Sequence, residues 1–154
     1  MTISYRFSKI EIKQFAIFPD LYNSQQNTET TINLNFAVNL KRTNIRCTAL
    51  IIVSQKEKHI LILELAHIFD IAPEGWQEMQ NGDTWKIPIE FLRYMGSITV
   101  GTARGIIHVK TEGTVLNSFI LPPFNLADSI KEDYIIHQKD LNQNQNEILK
   151  DNIG

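Results

Sequence analysis

The segment GTARG (101–105) sets two glycines four positions apart, a spacing at which backbone amides could cradle a phosphate. The chemistry stops there. No Lys-Ser or Lys-Thr follows to reach phosphate and magnesium, and the segment lies inside a helical pattern rather than after a strand. The pattern instead supports a packing role, in which small residues let another backbone or a neighbouring helix come close. His59, His67, His108 and His137 show no paired ligand spacing, and neither HExxH nor CxxC occurs. His67, in a strand, and His108, on a polar helix face, read as solvated or hydrogen-bonded side chains. Ser97 and Ser129 lack a nucleophile elbow, and the single cysteine, Cys47, sits in an alternating apolar run as a small core hydrophobe. Glu64 and Asp70 lie in or near one strand, where a carboxylate is ordinarily a solvated surface group, and nothing pairs them for acid–base work. The expectation is a protein that is not an enzyme and takes no metal or cofactor.

The elements that must position these residues come from hydrophobic periodicity. TINLNFAVNL alternates Ile32, Leu34, Phe36, Val38 and Leu40 with polar or small neighbours, the mark of a half-buried strand. Before it, Tyr5 and Phe7 share one parity and Ile10 and Ile12 the other, so a first strand carries a bulge near Ser8 and Lys9. RCTALIIVS and HILILELAHIFDI supply a third and fourth strand around the charged turn QKEKH, and the order reads as an antiparallel meander. The fourth strand is apolar on both faces. APEGWQEMQNGDTW reads as a loop, Pro88 as the start of a long helix, and Lys110 with Gly113 as its end. On that helix Glu90, Arg93, Ser97, Arg104, His108 and Thr111 form one narrow polar wedge. The apolar arc is wider than the stripe of about 100° that one sheet would cover, so a second surface must meet it. A short second helix is expected around Ile130, Tyr134 and His137.

Composition bounds the partners. The chain has 154 residues, 43% of them hydrophobic, and a formal charge of −2, which fits one α+β domain with a substantial core and no basic footprint for nucleic acid. The longest apolar block, ILILEL, is too short to cross a bilayer, and the N-terminus has no signal-like apolar run, so a cytoplasmic protein is expected. A single domain over 1–138 and a polar, disordered tail over 139–154 are expected. Aromatic and aliphatic residues in connecting segments, Phe15, Ile17 and Phe18, Trp76 and Trp85, and Leu116, Phe119 and Ile120, could line grooves for extended apolar peptides.

The order of elements, with ELAHIFDIAPEG (64–75), TARGIIHVKTEGT (102–114) and LPPFNLADS (121–129), resembles the SecB family of protein-export chaperones. FSKIEIKQFAIFPD (7–20) resembles the family's first strand. The resemblance implies a four-stranded antiparallel sheet packed with one long helix and a short C-terminal helix. It implies a homotetramer, a dimer of dimers with the long helices between paired sheets, and an ATP-independent holdase that keeps unfolded preproteins competent for Sec-dependent export. By segment match, Phe15, Phe18, Leu116, Phe119, Ile120 and Tyr134 would bind clients, and Ile62 and Glu64 would meet the SecA motor. Gly96 with Ala103, and Gly101 with Gly105, would permit close approach between subunits. Gln14 and Phe18 stand where the family's first strand carries acidic residues, and the tail is rich in Asn and Gln rather than acidic. A SecB-fold protein dedicated to one partner, such as an antitoxin, is the alternative.

Overall fold

The structure is a computed structural model that describes residues 3–140. Strands β1 (Tyr5–Ile17), β2 (Glu29–Asn39), β3 (Asn44–Gln55) and β4 (Lys58–Ile71) form one antiparallel sheet in the order β1-β4-β3-β2. The expected meander holds for β2, β3 and β4. β1 instead crosses to the far edge and pairs with β4, which gives the strand that is apolar on both faces a neighbour on each side. The β3–β4 turn places Lys56 and Glu57 both at positive φ, 47° and 65°, the paired left-handed geometry of a two-residue hairpin whose twist matches the strands.

The parity change in β1 is resolved by two irregularities, one between Phe7 and Lys9 and a second between Ile12 and Gln14 that the sequence reading lacks. Their effect is cumulative. Tyr5, Phe7, Ile10, Ile12, Phe15 and Ile17 stand opposite Ile71, Phe69, His67, Leu65, Leu63 and Leu61, so every large apolar residue of β1 reaches the same face of the sheet.

On that inner face lies a 22-residue helix. Between β4 and this helix the expected loop is structured: α1 (Pro73–Met79) starts at a proline in its first turn, and β5 (Gln80–Asn81) and β6 (Thr84–Ile87) form a small hairpin. Trp76 and Trp85, expected to line a groove, are both buried and stand 6.2 Å apart between ring centroids. The long helix α2 (Ile89–Lys110) begins directly after Pro88. Its first amide donates to Asp133 Oδ1 at 2.7 Å, and this hydrogen bond holds the Asp133 carboxyl below the usual carboxylate range, with Lys86 helping at 3.3 Å. At the other end Asn117 donates to the carbonyl of His108 at 2.8 Å, satisfying a group the helix leaves open.

After α2 come a 3₁₀ turn (Val115–Ser118), an extended run through Pro122 and Pro123, α3 (Leu126–Ser129) and β7 (Tyr134–His137). The short C-terminal helix is therefore four residues earlier and shorter than the periodicity implies. Tyr134 to His137 pair with β6 instead, because Ile135 and Ile136 are β-branched and Ile136 closes over Trp85, its partner in register. From residue 141 onward the expected tail lies outside the described residues.

Two clusters fill the space between sheet and helix. One gathers Cys47, Phe69, Met95 and Leu92 with both tryptophans; the other gathers Ile51, Leu63, Val100, Ala103, Ile107, Leu116 and Leu121. Burial pushes the Cys47 thiol up to about 11, so it behaves as the small hydrophobe expected. Gln55 is 2% exposed, and it orders the polar β1–β2 connection. Its carbonyl accepts the Asn23 amide at 2.9 Å while its Nε2 donates to Asn23 O, Gln26 O and Thr28 Oγ1. Gln55→Leu is expected to cost about 1.5 kcal/mol in urea unfolding and to loosen 23–28 to proteolysis, because those loop groups lose one shared partner.

Candidate functional site

The polar wedge of α2 is not simply solvated. Arg93 Nε and Nη2 both donate to the carbonyl of Ile130, at 3.1 and 2.9 Å, and Arg104 donates from Nε to Leu121 O at 2.7 Å and from Nη2 to Pro122 O at 3.1 Å. The segment after the helix is thereby drawn along one flank of α2. Beneath it, a Cβ added at Gly96 would meet Leu126 Cδ2 at 3.0 Å and Leu34 Cδ1 at 3.1 Å. Gly96 is thus a notch filled from within the chain, and Ala103 has no exposed surface at all. Both were expected at a contact between subunits; the protomer's own packing uses them.

The opposite flank of α2 is open. Around Gly101 and Gly105 an added Cβ would find nothing within 4 Å, and on a helical wheel these glycines share their side of α2 with Tyr94, Ile98 and Val109. Beside this flank runs the inner face of β1, where Phe7 is 56% exposed and Ile10 and Ile12 are also exposed. Tyr5 and Tyr94 close one end, hydroxyl to hydroxyl at 2.7 Å, and burial together with that contact pushes the Tyr5 phenol up to about 12. Lys110 Nζ lies 5.2 Å over the Phe15 ring at the other end. A free strand edge and an apolar helix flank here form one continuous surface.

Under Phe7 lies His67. It is 1% exposed, its ring 4.8 Å from Phe7 and 4.6 Å from Phe69, and neither nitrogen has a hydrogen-bond partner. The histidine expected to be solvated or hydrogen-bonded is neither, and desolvation lowers its pKa.

The residues singled out for clients fall in separate places. Phe15 and Phe119 are half-buried against the second cluster, and Leu116 is buried beneath them as an anchor with 1% exposure, which leaves it no surface for a ligand. Ile120 is 65% exposed. Phe18 is on the other side of the sheet's end, in a shallow cleft with Leu21, His59 and Ile62. Ile62 and Glu64, the SecA candidates, both lie half-buried on the outer face, and Glu64 stands between Gln14 and Leu50 with no second carboxylate on its neighbouring strands in that row. Tyr134 borders a further cleft, of about 420 Å³, between β2 and the segment 128–134. Its apolar lining, Leu34, Phe36 and Leu92, escaped the sequence reading because alternation marks Leu34 and Phe36 only as core-facing. Strand β2 is the edge of the sheet, and that placement, invisible in local sequence, leaves them half exposed.

Among the described residues no group of His, Cys, Asp and Glu could hold a metal ion, and no helix is long and apolar enough to cross a membrane. No family model matches the chain, and no curated protein matches it in sequence. Among solved structures the chain is similar to the Rv1957 SecB-like chaperone of Mycobacterium tuberculosis, solved in complex with a ChAD peptide from the Rv1956 HigA1 antitoxin. Identity is 12%, the match covers 78% of this chain and 90% of that one, and the TM-score is 0.47. The four-stranded antiparallel sheet with its long helix is the α+β arrangement that the resemblance in sequence implies.

Proposed function

We propose that this chain is an ATP-independent chaperone of the SecB type that holds unfolded segments of other proteins on apolar surface. One observation carries the reading. Eleven large apolar side chains are exposed among the described residues, and they occur as neighbours rather than singly, above all along β1 and the open flank of α2. A monomeric soluble protein seldom leaves such surface uncovered. In this reading the β1–α2 flank, with Gly101 and Gly105, faces other copies in a tetramer. The exposed Ile120 and the clefts at Phe18 and Tyr134 take client segments. Binding of the unfolded but not the native client then holds back its folding by mass action.

The experiment is suppression of aggregation of a denatured precursor by stoichiometric protein without nucleotide. Suppression is expected, with Ile120→Asp weakening it several-fold while leaving the melting temperature unchanged, since an exposed side chain contributes little to the fold. A folded wild-type protein that suppresses nothing would sink the proposal.

Export to SecA and a cytoplasmic site of action belong to the same proposal. A second reading, service to one dedicated partner, is favoured by the outer face: Gln14 stands beside Glu64, and Phe18 is exposed where acidic residues would recruit SecA. Co-purification from the native cell distinguishes them, many precursors supporting the general role and one stoichiometric protein the dedicated one.

A further inference from the structure

Strand pairing gathers, at one end of the sheet, basic residues that the sequence scatters. On the outer face, away from α2, Arg6 stands opposite Asp70 and Lys9 opposite Ile68, and Ile68 has Arg46 on its other side. The turn joining β2 to β3 adds Lys41 and Arg42. That turn is fixed from two directions: Asn39 Oδ1 accepts the Arg42 amide at 3.0 Å, and Thr43, at φ +51°, has its carbonyl on the Ile71 amide of β4 at 3.0 Å. Arg42 is thereby brought to the same place as Arg6. The two arginines line one cleft of about 430 Å³, with Tyr5, Asp70, Ile71 and Pro73 among its other walls.

Charge in this corner does not balance. Arg6 is held by Asp70 at 3.1 Å and Lys9 lies 3.8 Å from Glu11, but among the described residues no carboxylate comes within ion-pair distance of Lys41, Arg42 or Arg46. Even with Glu74 of α1 added, five basic residues stand against three acids, in a chain whose formal charge is −2. Arg46 shows the imbalance most directly. It is half-buried between Ile68 and Ala37 in register, and neither of those side chains can accept from its guanidinium, so part of its hydration is lost with no internal replacement.

We infer that this corner docks an acidic segment of another polypeptide, whose carboxylates are received by Arg42 and Arg46 while an apolar side chain of the same segment rests in the cleft on Tyr5 and Pro73. A guanidinium takes a carboxylate through two parallel hydrogen bonds, a geometry that lysine cannot offer. Phosphate would match the fork equally well, but a nucleic acid presents a continuous run of charge, and Asp70 and Glu11 interrupt the basic residues here. A flat anionic membrane cannot follow a cleft. An acidic peptide sets carboxylates beside apolar side chains, which is the mixture this corner presents in reverse. The site lies at the opposite end of the sheet from the Phe18 cleft and on the face away from α2, so the inference goes beyond the chaperone reading and does not depend on it.

The test is fluorescence anisotropy of a labelled peptide, Glu-Glu-Phe-Glu-Glu-Ile-Glu-Glu, titrated with the full chain beside its Lys-for-Glu counterpart. The acidic peptide is expected to bind about tenfold more tightly than the basic one and to lose several-fold in affinity between about 50 and 250 mM salt. Arg42→Glu should weaken it about tenfold, and the double variant Arg42→Glu with Arg46→Glu should prefer the basic peptide. Lys56→Glu makes the same change in net charge at the opposite end of the sheet and should leave the affinity unchanged. No binding of the acidic peptide would overturn the inference, as would an equal loss in Arg42→Glu and Lys56→Glu. Tighter binding of oligothymidylate or of phosphatidylserine vesicles through the same arginines would overturn the assignment to a polypeptide. A fall in sedimenting mass in Arg42→Glu, with peptide affinity at the wild-type level, would instead make the corner a contact between copies. Should the double variant misfold, Arg42→Glu decides alone, because Arg42 is exposed in a turn and makes no side-chain hydrogen bond among the described residues. Peptide binding by a protein that suppresses no aggregation would defeat the chaperone reading and leave this site standing.

Discussion

Gly96→Leu is expected to lower the stability of the protomer by about 2 kcal/mol, and Gly105→Leu to leave it unchanged or raise it by about 0.7 kcal/mol, although both replace a glycine in the same helix by the same residue. Both substitutions gain helix propensity, since glycine in a helix interior gives up more backbone freedom than leucine. They differ in what the new side chain meets. At Gly96 the first added atom already stands 3.0 Å from Leu126 and 3.1 Å from Leu34, and the rest of a leucine must push α3 or the β2 edge aside. Overpacking of that kind typically costs about 1–3 kcal/mol, which outweighs the propensity gain. At Gly105 an added Cβ meets nothing within 4 Å among the described residues beyond its own stretch of helix. A drop of roughly 4–8 °C in melting temperature for Gly96→Leu, and none for Gly105→Leu, is the expected pair of results.

The same pair separates protomer from assembly. Because a side chain added at Gly105 meets no other described part of its own chain, a loss of oligomer mass in Gly105→Leu would be an effect on the contact between copies and not on the fold. Sedimentation at several concentrations checks it, since the stability of an oligomer depends on protomer concentration. An oligomer of wild-type mass and affinity in Gly105→Leu would remove this flank from the subunit contact. Unchanged melting in Gly96→Leu would show that the notch is not filled as described.

What could be read from the sequence divides along the range of the interactions. The alternation in β2 and the polar wedge of α2 are local patterns, each dictated by a period of two or of 3.6, and both stand where the spacing places them except at Thr111, which caps the helix and is buried. What Arg93 and Arg104 hold was not legible, because their partners are backbone carbonyls 37 and 17 or 18 residues away, and a carbonyl carries no mark in sequence. The strand at Tyr134–His137 was missed for a related reason: two β-branched residues between polar neighbours decide nothing until β6 supplies an edge to pair with. Gly96 and Gly105 look alike in sequence and differ only through Leu34 and Leu126. The exposed residues of β1 were legible as apolar and not as uncovered, since their exposure follows from β1 lying at the sheet edge, beyond the reach of α2. His67 was misjudged because a polar residue opposite Cys47 and Ile10 is classed by its own chemistry until its neighbours are known.

That histidine carries the remaining large effect. His67 lies between Phe7 and Phe69 with Cys47 and Ile10 beside it in register, and none of these neighbours offers a charge or a carboxylate to an imidazolium. The thiol stays protonated, its pKa pushed up to about 11, so it cannot compensate. Desolvation lowers the folded-state pKa of His67 from 6.5, while the unfolded chain keeps the ordinary value. Between those two values the unfolded state binds a proton that the folded state refuses. The stability contributed by the neutral ring is therefore complete above pH 6.5 and is lost as pH falls from 6.5 toward the folded pKa, with a limiting slope of about 1.4 kcal/mol per pH unit. Asp133 has the opposite origin and a lower window: its depressed carboxyl contributes stability that is present above 3.8 and disappears only below it. Urea unfolding at pH 7.5 and 5.5 should thus show a loss of stability in the wild-type protein, bounded by that slope, and nearly none in His67→Leu, which keeps the layer apolar at both values. Equal losses in the two proteins would mean that His67 is not the group that titrates.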